Sequence, residues 1–315
     1  MPGLPNIFDA ELWQLRRERF APSAAQHDFL LARVAEDFAE RLSVVRREFA
    51  VAANIGAYHG IVSRRLRQLN SVGTVIDVEA APSLLSLCEG PRILASLEAL
   101  PFAEASLDLA VTALSLQLVN DVPGTLAQIR RALKPDGLML AALLGGATLQ
   151  ELREAWLVAE EEVTGGASPR VAPFADVREL GGLLQRAGFA LPVADSDVVR
   201  VTYATPLALM QDIQKMAASN MLTERRPVPV TRRLILRAAE VYAERFALPD
   251  GRIPATFEII TLTAWVPHES QQKPLKPGSA KMRLAEALGV PEQRAGDTAQ
   301  PIPSQPNPKD REAKE

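Results

Sequence analysis

The chain is poor in the residues that build disulfide and metal sites. Its 315 residues include one cysteine, Cys88, and three histidines. A single thiol excludes an intrachain disulfide framework and a cysteine-rich metal centre, and it fits a reducing compartment. His27, His59 and His268 lie far apart without helical spacing, so no 2-His-1-carboxylate pattern is legible and no metal is expected. Charge of one sign is lacking too. Thirty-five basic residues against 38 acidic ones leave a net charge of −3, which carries no overall footprint for nucleic acid. No apolar run approaches the ~18 residues that suggest a membrane span. The start, MPGLPNIFDAELW, has no basic segment leading into an apolar core, unlike a secretory signal. These absences lead to the expectation of a cytoplasmic protein with no transmembrane segment, and they leave peripheral membrane association open.

What is present is core. Hydrophobic residues make up 47% of the chain, enough for one large or two small domains. The most informative stretch is Ile93 to Gly146. Leu107–Thr112 and Leu138–Leu144 are apolar on both faces, as buried parallel strands are. Between them Leu126, Ile129 and Leu133 recur at helical spacing, with Pro123 in the first turn and Arg130 and Arg131 on the wet side. Lys134-Pro135-Asp136-Gly137 reads as the turn that stops this helix. Strand, helix and parallel strand make a right-handed βαβ unit.

Leu100-Pro101-Phe102, Leu107-Asp108-Leu109 and Leu133-Lys134-Pro135-Asp136-Gly137, in this order and spacing, resemble the signature of class I S-adenosylmethionine (SAM)-dependent methyltransferases. The resemblance implies an α/β, Rossmann-like seven-stranded sheet with helices on both faces. Residues 1–47 are expected to form an N-terminal helical cap, with helices at Glu11–Phe20 and Asp28–Leu42. Residues 48–289 would be the methyltransferase-like domain, with strands at Thr74–Val78, Ile93–Ala95, Val198–Tyr203 and Phe257–Val266. A helical insertion over about 206–252 precedes the last strand. Residues 290–315, rich in proline and charge, have little to bury and are expected to be disordered.

The resemblance also implies a site. Residues 48–60, EFAVAANIGAYHG, stand where a first strand meets the glycine loop that receives SAM. Gly56 and Gly60 are in place, Asn54 replaces the usual acid, and Tyr58 and His59 are bulkier than usual. Glu79, ahead of Asp77, is the candidate for the ribose hydroxyls, because a carboxylate accepts both bonds in one geometry. Ala80 begins the turn after it. Ser96 stands at the usual acid position for adenine, with Leu97 and Glu98 beside it. Leu114 and Gln117 fall in the stretch that closes the cofactor pocket. Gln117 stands where relatives carry histidine, and it cannot take a proton near neutral pH. No catalytic residue is legible. His27-Asp28 reads as an exposed histidine beside an N-cap aspartate, Thr148 and Glu151 as a capping box, and Arg64, Arg65 and Arg67 as a solvated face.

The start, Gly165–Asp176 and the segment after Trp265 narrow the resemblance, over about residues 6–289. The chain is similar to bacterial methyltransferase-like proteins related to the mitochondrial assembly factor of respiratory complex I, which is a hydroxylase of an arginine in a complex I subunit. More distant relatives include the malonyl-carrier-protein methyltransferase. Two functions are implied. One is a SAM-dependent enzyme acting on a protein substrate, such as a complex I subunit, or on a small molecule. The other is a binding or assembly factor with a degenerate cofactor site, since Asn54, Ser96 and Gln117 depart from the pattern in one pocket. A nicotinamide dehydrogenase predicts G-x-G-x-x-G, which Gly56–Gly60 does not match. Substrate, modified atom and oligomeric state are not legible.

Overall fold

The computed structural model describes residues 6–272 and residue 289. Two N-terminal helices, α1 (Ala10–Phe20) and α2 (Phe29–Ser43), precede a seven-stranded sheet. The strands are β1 (Phe49–Ile55), β2 (Val72–Glu79), β3 (Arg92–Leu94), β4 (Leu107–Ala113), β5 (Leu133–Leu144), β6 (Ala190–Tyr203) and β7 (Ile253–Trp265). Their order is β3-β2-β1-β4-β5-β7-β6, with β7 antiparallel to both neighbours. This is the class I methyltransferase sheet. The order reverses between β1 and β4, and in open α/β sheets ligands bind at such a switch point, beyond the carboxyl ends of the strands.

Alternating residues on each strand feed two cores. Ala52, Leu109, Leu138 and Ile259 face one cluster with Leu30, Val34, Phe38 and Leu42 of α2. Ala53, Ala110, Met139 and Ile260 face another, with Leu126 and Ile129 of α5 (Val122–Ala132) and Leu180 and Leu184 of α7 (Val177–Arg186). The central strands are therefore apolar on both sides, as the sequence shows. The shorter helices α3 (Ile61–Leu66) and α4 (Pro82–Leu85) follow β1 and β2, and α6 (Gln150–Thr164) follows β5. Helices α8 (Pro206–Lys215) and α9 (Arg232–Phe246) lie between β6 and β7, so the helical insertion precedes the last strand as expected.

Several local expectations differ. Lys134–Gly137 belongs to β5 rather than to a turn. The register shifts between Leu107 and Leu109, and Asp136 takes a left-handed φ of 63°. Strand β6 begins eight residues before Val198, because Val193 to Asp197 pair with β7 in spite of the polar Asp195, Ser196 and Asp197. The Thr148–Glu151 capping box does not form. Thr148 Oγ1 donates to the Glu258 carbonyl, and Glu151 accepts from Thr256 N. Both side chains are committed to tying α6 to β7. The arginines after β1 are not merely solvated. Arg67 donates to Asp77 (3.1 Å), Arg65 to Glu36 (2.9 Å) and Arg64 to the His59 carbonyl (2.9 Å). The tail expected over 290–315 lies outside the described residues.

Phe38 is fully buried where α2 meets the sheet. Phe38→Ala is expected to cost about 3–5 kcal/mol, the usual penalty for emptying an aromatic site in a core. Urea unfolding followed by circular dichroism measures it.

Candidate active site

The glycine loop leaves the end of β1 with its backbone fixed by one acceptor. Gly56 N and Ala57 N both donate to the Val78 carbonyl, at 2.9 and 3.0 Å. Gly56 and Gly60 adopt left-handed φ values of 76° and 79°, which glycine reaches without penalty. At Gly56 close approach adds a second reason. A Cβ there would lie 2.4 Å from Ser115 Oγ, so a larger residue meets the loop after β4 before it meets any ligand. Asn54 faces inward. Its Nδ2 donates to Ser63 Oγ (2.8 Å) and to Asp77 Oδ1 (3.0 Å), and its Oδ1 has no partner among the described residues. Asp77 is fully buried.

Glu79 is the centre of the site, and it is 0% exposed. Oε1 accepts from Ala80 N (2.9 Å) and Ala81 N (3.0 Å), and Oε2 accepts from Tyr58 N (2.9 Å). The fourth partner is Arg17 of α1, whose Nη2 is ion-paired with Oε2. The Arg17 guanidinium lies over the rings of Trp13 (4.6 Å) and Tyr58 (4.9 Å), a favourable stacking of cation on aromatic face. Gln14 Nε2 donates to the Ala80 carbonyl at 3.1 Å, and Glu18 accepts from Ser83 N at 3.2 Å. Residues 13, 14, 17 and 18 thus form one face of α1 laid on the turn after β2. Sequence reasoning missed Arg17. The W-x-x-x-R spacing was visible, but nothing local links it to Glu79, 62 residues away.

The remaining expected residues gather at the same end of the sheet. Trp13 shares a buried apolar cluster with Leu97. Ser96 Oγ accepts from Glu98 N (3.2 Å), and Glu98 Oε1 accepts from Asn120 N (2.7 Å) at an exposed rim. Gln117 Nε2 donates to the Leu114 carbonyl (2.8 Å), while its buried Oε1 has no partner among the described residues. Two cavities adjoin here. A small one of about 100 Å³ is bounded by Arg17, His27, Tyr58, Leu114 and Gln117. A larger one of about 490 Å³ shares Gln117, Leu118, Leu144 and Ala218 with it. Tyr58, Leu114 and Ala217, all on the small cavity, take positive φ without being glycine. Such strain costs on the order of 1–3 kcal/mol per residue and collects at functional sites.

The histidines are not where the sequence suggested. His27 is mostly buried, and its Nδ1 lies 2.5 Å from Asp212 Oδ1 of α8. Tyr203 Oη donates to Asp212 Oδ2 at 2.8 Å. Asp28 makes no side-chain cap; its Oδ2 sits 3.0 Å from His59 Nε2. Arg64 Nη2 lies 3.1 Å from His59 Nδ1. That makes Nδ1 the acceptor and places the ring hydrogen on Nε2. Burial lowers the His59 pKa from 6.5, Asp28 opposes this, and Arg64 adds to it. Burial also raises the Cys88 thiol to about 12, with Asp77 and Glu79 adding to the rise, so the only cysteine is held as an unreactive thiol.

Among the described residues no cluster of three or more His, Cys, Asp or Glu could hold a metal, and no helix is long and apolar enough to cross a membrane. For SAM the donor set fits: a carboxylate at the end of β2 and a glycine loop at the switch point. The space does not fit while Arg17 occupies Glu79, since the cavity left is about 100 Å³.

Fold and site thus define a class I methyltransferase-fold protein, and residues 53–141 match the methyltransferase domain family. The same sheet is found in the YcgJ protein of Bacillus subtilis (TM-score 0.52, 14% identity, 75% of this chain and 99% of that one). It is also found in the BH2331 protein of Bacillus halodurans (TM-score 0.52, 13% identity, 74% and 98%). The chain is 39% identical over 292 residues to the mouse mitochondrial arginine-hydroxylase NDUFAF5, covering 90% of this chain and 84% of that one. It is 34% identical over 260 residues to the malonyl-[acyl-carrier protein] O-methyltransferase of Halorhodospira halophila, covering 79% and 86%. The chain belongs to the methyltransferase-domain family that contains the NDUFAF5 arginine-hydroxylases and the malonyl-[acyl-carrier protein] O-methyltransferases.

His59 supplies a pH signature. Its folded pKa lies below its ordinary value, so the unfolded chain takes up the proton first as pH falls. The histidine's contribution is complete above pH 6.5 and is lost as pH drops from there through the folded value. His59→Gln is expected to flatten the fall in urea midpoint between pH 7.5 and 5.5. Equal slopes in variant and native protein would contradict this.

Proposed function

We propose that the chain is a SAM-dependent enzyme acting on a protein substrate in respiratory complex I assembly, and that its cofactor site opens when α1 withdraws Arg17 from Glu79. The observation that carries this reading is the state of Glu79. It is the carboxylate the fold would give to the ribose hydroxyls, and a side chain of the N-terminal helix α1, Arg17, fills its last acceptor position. On withdrawal Glu79 would hold the ribose, with Leu97 and Glu98 near the adenine and the Gly56 loop at the methionine portion. SAM would supply an electrophilic methyl group.

The chain's own residues then have definable tasks. Gln117 Oε1, buried and unpartnered, suits an N–H or O–H of the reacting group. His27 pairs Nδ1 with Asp212 and lines the small cavity; with Nδ1–H donated to that carboxylate, its other ring nitrogen would serve as a proton acceptor. Tyr203 fixes the Asp212 carboxylate from its far side. The general base absent at Gln117 is thereby available from α1–α2 and α8. Alignment of substrate and cofactor does the rest, so few catalytic groups are needed.

The second reading is a binding or assembly factor that no longer takes SAM. The full burial of Glu79 under Arg17 favours it, as does the loss of the acid at Asn54. Calorimetric titration with S-adenosylhomocysteine separates the two. The enzyme reading expects Arg17→Ala to bind at least tenfold more tightly than the native chain. If neither protein binds up to millimolar ligand while both melt cooperatively, the assembly-factor reading stands.

A further inference from the structure

The larger cavity is built differently from the cofactor cleft. Leu152 and Trp156 of α6, Met210 and Ile213 of α8, and Val171 and Phe174 of the loop before α7 line it. At about 490 Å³ it falls within the range of about 300–1,000 Å³ of small-molecule sites. Arg170 and Asn220 on its wall are satisfied within the protein, while Gln117 Oε1 has no partner among the described residues. Arg170 on its wall is paired with Glu160, which is fully buried, and lies 5.0 Å over the Trp156 ring. Asn220 donates to the Pro169 carbonyl and accepts from Leu222 N.

Arg16 is different. It is half-buried on the same wall, and its Nη1 donates to the carbonyls of Ser219 and Asn220, both at 2.7 Å. Its Nε and Nη2 make no hydrogen bond, and no carboxylate lies within 4 Å of it, among the described residues. The nearest acid, Asp9, is ion-paired with Arg225 at 2.8 Å. Burial and the Arg225 charge both disfavour the Arg16 cation, and Asp9 only partly offsets them. Two carbonyls therefore fix a guanidinium edge at an apolar cavity, with its remaining donors open and one positive charge uncompensated. That edge matches a carboxylate bidentately.

We infer that this cavity binds an amphipathic monocarboxylic acid, with the acid on Arg16 and the hydrocarbon body among Leu152, Trp156, Phe174 and Met210. A second anionic group does not suit it, because Arg170 is already neutralised by Glu160. Binding does not require SAM, so the inference stands apart from the fate of the cofactor site.

Calorimetry of the full chain, without SAM, with octanoate, decanoate and dodecanoate below their micelle concentrations tests it. Affinity should rise about fourfold for each added methylene until the cavity is filled. Decanol should bind at least tenfold more weakly than decanoate, and Arg16→Gln should bring acid and alcohol to parity. Met210→Trp, which fills the cavity and leaves Arg16 in place, should weaken dodecanoate more than tenfold; it decides the matter if Arg16→Gln does not fold. Absence of binding, equal affinity for acid and alcohol in the native protein, or unchanged dodecanoate affinity in Met210→Trp would each overturn the assignment.

Discussion

A buried ion pair between Glu79 and Arg17 organises one end of this molecule. Taking either charge out of water costs several kcal/mol, and a pair recovers that only when the remaining hydrogen-bonding capacity is satisfied. Glu79 meets that condition with three backbone N–H donors and a guanidinium. Arg17 adds two aromatic faces. The pair joins three elements: the helix before the sheet, the end of β2, and the glycine loop through Tyr58 N. Moving any one of them exposes or unpairs the carboxylate. On the proposed reading, the position of α1 therefore decides whether Glu79 is free for a cofactor.

This arrangement changes how the altered glycine loop is understood. Asn54 in place of an acid, and Tyr58 in place of a small residue, look in isolation like losses. In the fold, the Asn54 amide bonds beneath the loop to Ser63 and Asp77, and the Tyr58 ring becomes a platform for Arg17. Tyr58 thereby helps hold Arg17 against Glu79, and Asn54 ties β1 to β2 and α3. Gly56 keeps its glycine first because Ser115 lies against it.

The sheet was legible because burial on both faces leaves an apolar signature in β1, β4 and β5, and because helical spacing marks α2, α5 and α9. Edge strand β6 was half missed. Its outer positions, Asp195, Ser196 and Asp197, face solvent or salt-bridge partners and carry no apolar period. The site was legible only along the chain. Gly56, Gly60, Glu79 and Gln117 stand on consecutive strand ends, so their grouping follows from the fold. Arg17 with Glu79, His27 with Asp212 and His59 with Asp28 are pairs closed by tertiary packing, and no spacing rule reaches across 62, 185 or 31 residues. His27 and Asp28, read from the sequence as an exposed histidine beside an N-cap aspartate, are adjacent in the chain. In the fold they point to different partners.

The central claim is that cofactor and Arg17 compete for one carboxylate. A crystal structure of the full chain grown with millimolar S-adenosylhomocysteine tests it most directly. The account predicts the ribose hydroxyls on Glu79, Arg17 withdrawn from it, and α1 displaced from the 79–83 turn. S-adenosylhomocysteine bound with the Arg17–Glu79 pair intact, or a cleft still closed and empty of it, would contradict the account.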